Sequence, residues 1–163
     1  MYYVNIFFIF SFIGFLFENL LNIFTNDTFN SGILYGPWTF IYGIGVLLMV
    51  IVYKFLQQFH LKKWKEVVLF YIIITVVMTL VEFSGGMLIE TIFHRTYWDY
   101  TNMRFNYGKY ICLEVSLAWG LLATFITYLV LPFINKIEKK IPWFVSVGLI
   151  ILFILDIVFT IIN

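Results

Sequence analysis

Five acidic residues lie inside or at the ends of strongly apolar segments, where an ionised side chain is costly. They are Glu18, Glu82, Glu90, Glu114 and Asp156. A charged acid at the centre of a membrane helix costs roughly 2.5–3.5 kcal/mol on insertion scales. Since no Lys or Arg lies deep in these segments, we expect the acids to face the interior of a helix bundle or to carry a proton. Cations of the third loop, among them Lys109, could reach the outermost acids.

Helical spacing predicts which acids share a face with other polar residues. The stripe in the first segment is Ser11, Gly14, Glu18 and Asn22, and the stripe in the third is Thr75, Thr79, Glu82, Gly86 and Glu90. Small and hydrogen-bonding residues let membrane helices pack closely. Two interpretations stay open: neutral carboxyl groups that only stabilise packing, or a proton, cation or cationic-substrate site that opens to the outer face. The candidate residues of that site are Glu18, Glu82, Glu90 and Glu114.

Two loops carry the other candidate residues. The third loop contains the most polar and aromatic stretch of the chain, residues 94–102, and is either an interfacial cap or a surface for substrate access or docking. Its candidates are Trp98, Asp99, Tyr100 and Asn106. The second loop is basic, and it either only sets the orientation or binds anionic lipid or a cytosolic partner. Its candidates are Lys62, Lys63 and Lys65.

Five apolar windows are long enough to place these residues on membrane helices, each of which needs about 20 mostly apolar residues. The windows are roughly 4–24, 37–57, 67–92, 110–132 and 143–162. The composition agrees, because 63% of the 163 residues are hydrophobic and only 12% are charged. We therefore predict an all-α, polytopic transmembrane bundle of about five helices, forming a single integral membrane domain over residues 1–163.

The distribution of Lys and Arg predicts the orientation in the membrane. Seven lie around the second and fourth loops and three in the third loop, and the side richer in basic residues is cytoplasmic. We therefore expect a cytoplasmic N-terminus, an external C-terminus, and external loops at about 25–36 and 93–109. The expected location is the plasma membrane of a bacterium, with the lipid bilayer as the main partner.

The chain also matches itself without a gap after a shift of 72 residues. The matched residues are Gly14, Leu16, Glu18, Asp27, Asn30, Tyr35 and Gly36, which fall on Gly86, Leu88, Glu90, Asp99, Asn102, Tyr107 and Gly108. Chance matching in a biased composition is the plain alternative. A real repeat would make helices 1–2 and 3–4 two parallel hairpins with a fifth helix added, an arrangement that transporters use to form a site at the repeat interface. Glu18 and Glu90 could then face each other.

Motif searches give little support for an enzyme. The sequence has no phosphate-binding loop of the P-loop ATPases, and His60, His94 and Cys112 are too few and too scattered for zinc. We predict no catalytic residues, no metal site and no cofactor. A net charge of +1 argues against nucleic acid as a partner.

Two motifs carry a resemblance. The first covers residues 32–38 and continues through Ile41-Tyr42-Gly43, and the second runs from Glu82 through residues 98–100 to Trp119-Gly120. Together they resemble the bacterial family called putative type IV ABC-transporter, the CmpB-type permease-like proteins. The resemblance covers about residues 6–134 and is not expected to reach the fifth helix. It departs from the family at Phe40, where proline is frequent.

The resemblance implies a permease-like subunit of an ABC transporter, with an unknown substrate and no cofactor. Such a subunit would need a cytosolic ATPase in trans, and five helices are few for a permease, so a homo-oligomer is expected. The motif positions on which this role would depend are Glu18, Glu82, Glu90, Trp98, Asp99 and Asn106. The alternatives are a non-transporting scaffold or sensor subunit and a membrane-embedded lipid-modifying enzyme.

Overall fold

The computed structural model describes residues 1–25, 34–94, 96 and 98–162. Within them, five helical spans are long and apolar enough to cross a membrane. They are α1 (Tyr2–Thr25), α2 (Phe40–Gln57), α3 (Lys63–Phe93), α4 (Leu113–Phe125) continued by α5 (Leu131–Glu138), and α6 (Trp143–Ile162). The prediction of an all-α bundle with five membrane helices is confirmed, and the protein is a multi-pass membrane protein.

The fourth span continues past Pro132 and ends at Glu138. A proline inside a helix cannot donate a backbone hydrogen bond to the preceding turn. Here a π-helical turn, Ile126–Val130, comes just before the proline, and such turns are one way in which a helix accommodates an irregular hydrogen-bond ladder. The span therefore runs beyond the window expected at residues 110–132.

The chain divides into two compact units. Unit 1 comprises Met1–Leu47 and Pro132–Asn163, and unit 2 comprises Leu48–Leu131. Each has its own packing and its own polar groups. The single domain and the parallel repeat stay predictions.

In unit 1 the start of α2 lies close against α1. Gly43 faces Ser11 and Phe7, and a Cβ atom at Gly43 would collide with both. The backbone N–H of Thr39 donates to the carbonyl of Ser11 at 3.0 Å. This close approach places the first residues of α2 and the residue before it, Thr39, beside the polar stripe of α1.

In unit 2 α3 packs against α4. Gly120 of α4 sits against Thr75 and Tyr71, and a Cβ atom there would collide with the threonine hydroxyl. The connection between these helices contains a two-stranded antiparallel sheet, β1 (Asn106–Tyr107) and β2 (Ile111–Cys112). Gly108 turns the chain between the strands with φ of +65°, a value that favours glycine. The sheet orders the loop in front of α4.

Large apolar side chains cover much of the helix surface. On α6, for example, Leu152, Ile154 and Leu155 are all more than half exposed, and this span has a mean hydropathy of 2.8. Such a surface would be unfavourable in water but suits hydrocarbon, where a helix satisfies its own backbone hydrogen bonds. The low number of charged residues is thus explained by lipid contact.

Candidate functional site

The Glu18 site of unit 1 consists of Gly14, Glu18, Thr39 and Tyr42. The Tyr42 ring lies directly on buried Gly14, where any Cβ atom would collide with it. The Tyr42 hydroxyl group lies close enough to the Glu18 carboxyl group to be a polar partner, and Thr39 Oγ1 donates to Glu18 Oε2 at 3.3 Å. Two hydroxyl groups therefore hold a half-buried carboxyl group inside a membrane-spanning helix.

The Glu90 site of unit 2 consists of Gly86, Glu90, Thr96, Lys109 and Tyr110. Here the Tyr110 ring lies on Gly86, and its hydroxyl group donates to Glu90 Oε2. Lys109 Nζ lies 2.6 Å from Glu90 Oε1 and 2.9 Å from Thr96 Oγ1. The hydrogen bond to Glu90 raises the pKa of the Lys109 ammonium group. A lysine of the third loop thus neutralises this acid, as its position in the sequence allowed.

Glu82 is held by the third loop without a cation. Its Oε1 accepts a hydrogen bond from the Tyr100 hydroxyl group at 2.7 Å. Burial and this hydrogen bond raise the pKa of Tyr100. Trp119 lies close enough to be a looser polar partner, yet Glu82 Oε2 is buried without a well-aligned hydrogen bond among the described residues. One oxygen of this carboxyl group is therefore left for another partner.

Trp98 lies in the same part of unit 2. Its ring packs edge-to-face with Tyr110 at 6.2 Å between centroids, and it contacts the position where Gly85 would carry a Cβ atom. Its Nε1 is buried and has no hydrogen-bond partner within the described part of the chain. Trp98 therefore belongs to the packing between the third loop and α3.

Asp99 and Asn106 form turns within the third loop. Asp99 Oδ1 accepts hydrogen bonds from the backbone N–H of Thr101 at 2.8 Å and from its hydroxyl group at 2.6 Å. These two bonds lower the pKa of Asp99. Asn106 Nδ2 donates to the carbonyl of Gly108 at 2.9 Å. Both side chains shape the loop, and these contacts give them a local structural role.

Glu114 stands apart from the other acids. It is exposed in the first turn of α4 and accepts a hydrogen bond from the buried Cys112 thiol group at 2.8 Å. An acid in the first turn of a helix interacts favourably with the helix dipole. The contacts of Glu114 thus account for its position without a ligand, and its role in a substrate site stays a prediction.

Lys63 of the basic loop is engaged inside unit 2. Its Nζ lies 3.0 Å from Glu66 Oε1 and 4.4 Å from the centre of the Tyr128 ring. The Tyr128 hydroxyl group donates to the same carboxyl oxygen at 2.9 Å. Lys62 and Lys65 are exposed. The sequence analysis missed Glu66 because it placed this acid in a basic loop, whereas α3 already begins at Lys63.

A second polar cluster missed by the sequence analysis lies in unit 1. Asn5 Nδ2 donates to Glu138 Oε1 at 2.9 Å, and the hydroxyl group of Ser146 donates to Asn5 Oδ1. All three residues are buried. Asn5 thereby links α1 to the end of α5 and the start of α6. The only signal in the sequence was a polar residue in the first turns of an apolar helix.

Asp156 is the anchor of the first motif. Its Oδ2 accepts hydrogen bonds from the backbone N–H of Gly36 at 2.9 Å and from Trp38 Nε1 at 2.6 Å. The sequence analysis counted Asp156 among the intramembrane acids but left it out of the candidate site. The available signal was a lone acid in the most apolar of the five spans.

Comparison with protein families was decisive. The model of the family described as "Putative ABC-transporter type IV" matches residues 5–161. The chain belongs to this family. The predicted resemblance is confirmed, but the expectation that it stops before the fifth helix is wrong. The match includes Asp156, whose hydrogen bonds join α6 to the first motif. No curated protein and no solved structure matches the chain.

Some predictions rest on positions that the structure leaves out. Asp27 and Asn30 of the repeat, Gly32 and Ile33 of the first motif, and Arg95 of the third loop lie outside the described residues. Glu18 and Glu90 belong to different units, so the expectation that they face each other stays a prediction. Within each unit, however, the glycine, the glutamate one turn later and a tyrosine are arranged alike.

Proposed function

We propose that this protein is a permease-like membrane subunit of an ABC transporter, in which Glu18 and Glu82 are the carboxyl groups that bind a proton or a cation. The family description supports the transporter role. We infer that a cytosolic ATPase acts in trans, since residues 1–163 contain no phosphate-binding loop.

The observation that carries the acidic site is the absence of counter-charge. Among the described residues, the ion pairs are formed by Glu66 with Lys63 and by Glu90 with Lys109. Glu18 and Glu82 are half-buried in membrane spans, and their polar partners among the described residues are neutral hydroxyl and indole groups. Ionisable groups in such positions usually mark ion pathways or proton relays. These two acids therefore form a stronger candidate set than the four predicted from sequence.

The proposal includes a location and partners. We infer insertion in the bacterial plasma membrane with the N-terminus in the cytoplasm, and assembly as a homo-oligomer. A cytosolic ATPase would then meet the loop between α2 and α3. All three of its lysines are exposed, but Lys63 already pairs with Glu66. The docking contribution is therefore assigned to Lys62 and Lys65.

The test is a tagged purification from native membranes in mild detergent, followed by mass spectrometry of the co-purified proteins. The proposal predicts a cytosolic ATPase at stoichiometric levels. Replacing Lys62 and Lys65 by alanine should reduce its recovery, while Arg104→Ala, an exposed change in the third loop, should not. Recovery of copies of this chain alone would reject the ABC role and favour a scaffold or sensor.

A further inference from the structure

The two glutamate sites show the same local arrangement. In each, a tyrosine ring lies on a helical glycine, and its hydroxyl group meets the glutamate four residues further along the helix. Both helices carry the pattern Gly-x-Leu-x-Glu, at residues 14–18 and 86–90. Because a Cβ atom at either glycine would displace the ring, the tyrosine and the glutamate are positioned by the same physical constraint.

The Glu90 site shows what such a carboxyl group binds. The Lys109 ammonium group contacts a carboxylate oxygen and a threonine hydroxyl oxygen, and it lies 5.3 Å from the centre of the Tyr110 ring. An ammonium group offers three donors and is attracted to the face of an aromatic ring. The chain itself thus supplies a primary ammonium group to this set of a glutamate, a threonine and a tyrosine.

The Glu18 site has the same three residue types, and within the described part of the chain no ammonium group pairs with Glu18. Glu18, Thr39 and Tyr42 correspond in chemistry to Glu90, Thr96 and Tyr110, although the threonine comes from a different part of the chain. The sequence contains no Lys, Arg or His between residues 1 and 53. This range includes the whole connection between α1 and α2, so the connection cannot provide a counterpart of Lys109.

We propose that the Glu18 site binds a primary ammonium group that does not belong to this chain. Glu18 accepts its charge, Thr39 offers a hydroxyl oxygen, and Tyr42 both holds the carboxylate and presents its ring. The inference deepens the proposed function, on which it rests, by naming the cation as an ammonium group. Small soluble amines and amine-headed phospholipids share this chemistry.

The oxygen atoms of the Glu18 site are better suited to an ammonium group than to a metal ion. The described residues contain no group of three His, Cys, Asp or Glu side chains that could hold a metal. A single carboxylate with two neutral hydroxyl groups provides few ligands for a divalent cation, which usually takes six or more oxygens. It matches the three donors of an ammonium group without further residues.

The experiment measures thermal unfolding of the purified protein in detergent with methylammonium chloride as the probe. Tetramethylammonium chloride at equal ionic strength is the control, because it has the charge but no N–H donor. A ligand that binds only the folded state raises Tm, because at a free concentration L it stabilises that state by RT ln(1 + L/Kd). The inference predicts a larger rise with methylammonium, and equal responses to the two salts would overturn it.

Matched variants locate the effect. Glu18→Gln should weaken the methylammonium response about ten-fold or more, since hydrogen bonds to charged groups are the strong ones, whereas Glu90→Gln should retain it. An unchanged response in Glu18→Gln contradicts the inference. If that variant does not fold, Thr39→Val removes one ligand oxygen at nearly constant volume and should weaken the response several-fold; an unchanged response there contradicts the inference equally.

Removing the lysine of the Glu90 site provides an independent test of ammonium binding. Lys109→Ala removes the built-in ammonium group, and methylammonium should then restore part of the lost Tm, while tetramethylammonium should not. The absence of any selective restoration would contradict the comparison from which the ligand was inferred. This result is independent of ATPase co-purification, so the inference can fail while the permease proposal stands.

The lipid environment distinguishes the two sources of the ammonium group. The titration is repeated in nanodiscs of phosphatidylethanolamine and of phosphatidylcholine, which differ in the N–H donors of the headgroup. A lipid ligand predicts a higher Tm in phosphatidylethanolamine and no further response to methylammonium there. A soluble amine predicts the same methylammonium response in both. Both results require Glu18, and a difference that persists in Glu18→Gln would overturn the inference.

Discussion

At the Glu18 site the polar partners of the carboxyl group among the described residues are Tyr42 and Thr39, whereas at the Glu90 site a tyrosine shares the carboxyl group with the ammonium group of Lys109. The helix positions the tyrosine in the same way in both, through a glycine one turn earlier. The difference comes from the loop beside each site, because the third loop supplies Lys109 whereas the first loop contains no Lys, Arg or His. Helix packing thus fixes where the acid lies, and the loop decides whether it is neutralised.

The largest expected effect comes from the residue that anchors the loop of the Glu18 site. Asp156→Ala leaves the N–H groups of Gly36 and Trp38 without their acceptor, and each unpaired donor costs about 1–3 kcal/mol. Asp156→Asn keeps an acceptor oxygen and should cost less. Thermal unfolding compares the two, with the emission of Trp38 as a local probe. Equal stability of Asp156→Ala and the wild type would remove this anchor from the account.

Substituting the glycine under the tyrosine ring should lower stability by a similar amount at the two sites. Gly14→Ala and Gly86→Ala each force a tyrosine ring to move, and overpacking of this kind typically costs about 1–3 kcal/mol. Gly148→Ala is the control, because nothing lies within 4 Å of a Cβ atom there. Unfolding in detergent measures all three. A loss at one site only would show that the two arrangements are not equivalent.

Removing the tyrosine hydroxyl group should lower stability more at the Glu18 site than at the Glu90 site. Tyr42→Phe deletes one of two hydroxyl partners of Glu18 and should cost about 0.6 kcal/mol, the average for a side-chain hydrogen bond between membrane helices. Tyr110→Phe should cost less, because Glu90 keeps Lys109. Paired denaturation curves test the order, and a reversed order contradicts the assignment of the counter-charge.

Neutralisation by Lys109 should depend on salt. The pair is partly exposed, with side-chain exposures of 30% for Lys109 and 47% for Glu90, and exposed pairs are screened by ions. Lys109→Ala should therefore lower Tm slightly at low ionic strength and hardly at all at high ionic strength. A loss that is independent of salt would indicate packing rather than charge.

The smallest effect concerns pH and the third loop. The pKa of Asp99 is lowered by its hydrogen bonds to Thr101, so its contribution to stability is present above its ordinary pKa of about 3.9 and is lost as the pH falls through the lowered value. Asp99→Asn should lower Tm slightly at neutral pH and reduce the further fall of Tm in this acidic range by a similar amount. A pH series on both proteins measures this difference.

The membrane spans could be predicted from sequence because long apolar runs have few alternatives. The small sheet could not, since strands of two residues such as β1 and β2 carry no periodic signal. The sequence predicts the third helix from residue 67, because Lys63 and Lys65 are typical of a loop. In the structure α3 begins at Lys63, whose charge is paired with Glu66 within unit 2. The positions at which helices begin in charged segments therefore depend on tertiary contacts that the local sequence does not show.

The sequence singles out the candidate acids, whose role stays a prediction, but it does not show their partners in the structure. Tyr42 and Tyr110 follow their glutamates at different distances along the chain, so a gapless shift could not pair them. Asp99 and Asn106 belong to the second motif, yet their contacts are local turns. Asp156 gains its importance only through Gly36 and Trp38, which lie far away in sequence.

The most direct test of the central claim is to map the reaction of membrane-embedded carboxyl groups with dicyclohexylcarbodiimide by mass spectrometry. This reagent enters lipid and modifies carboxyl groups that can carry a proton, whereas an ion pair protects them. We expect the reagent to modify Glu18 and Glu82, and methylammonium to protect Glu18. Glu90 should be modified only in Lys109→Ala, because Lys109 pairs with it in the wild type. Modification of Glu90 in the wild type with Glu18 and Glu82 unreactive would contradict the central claim.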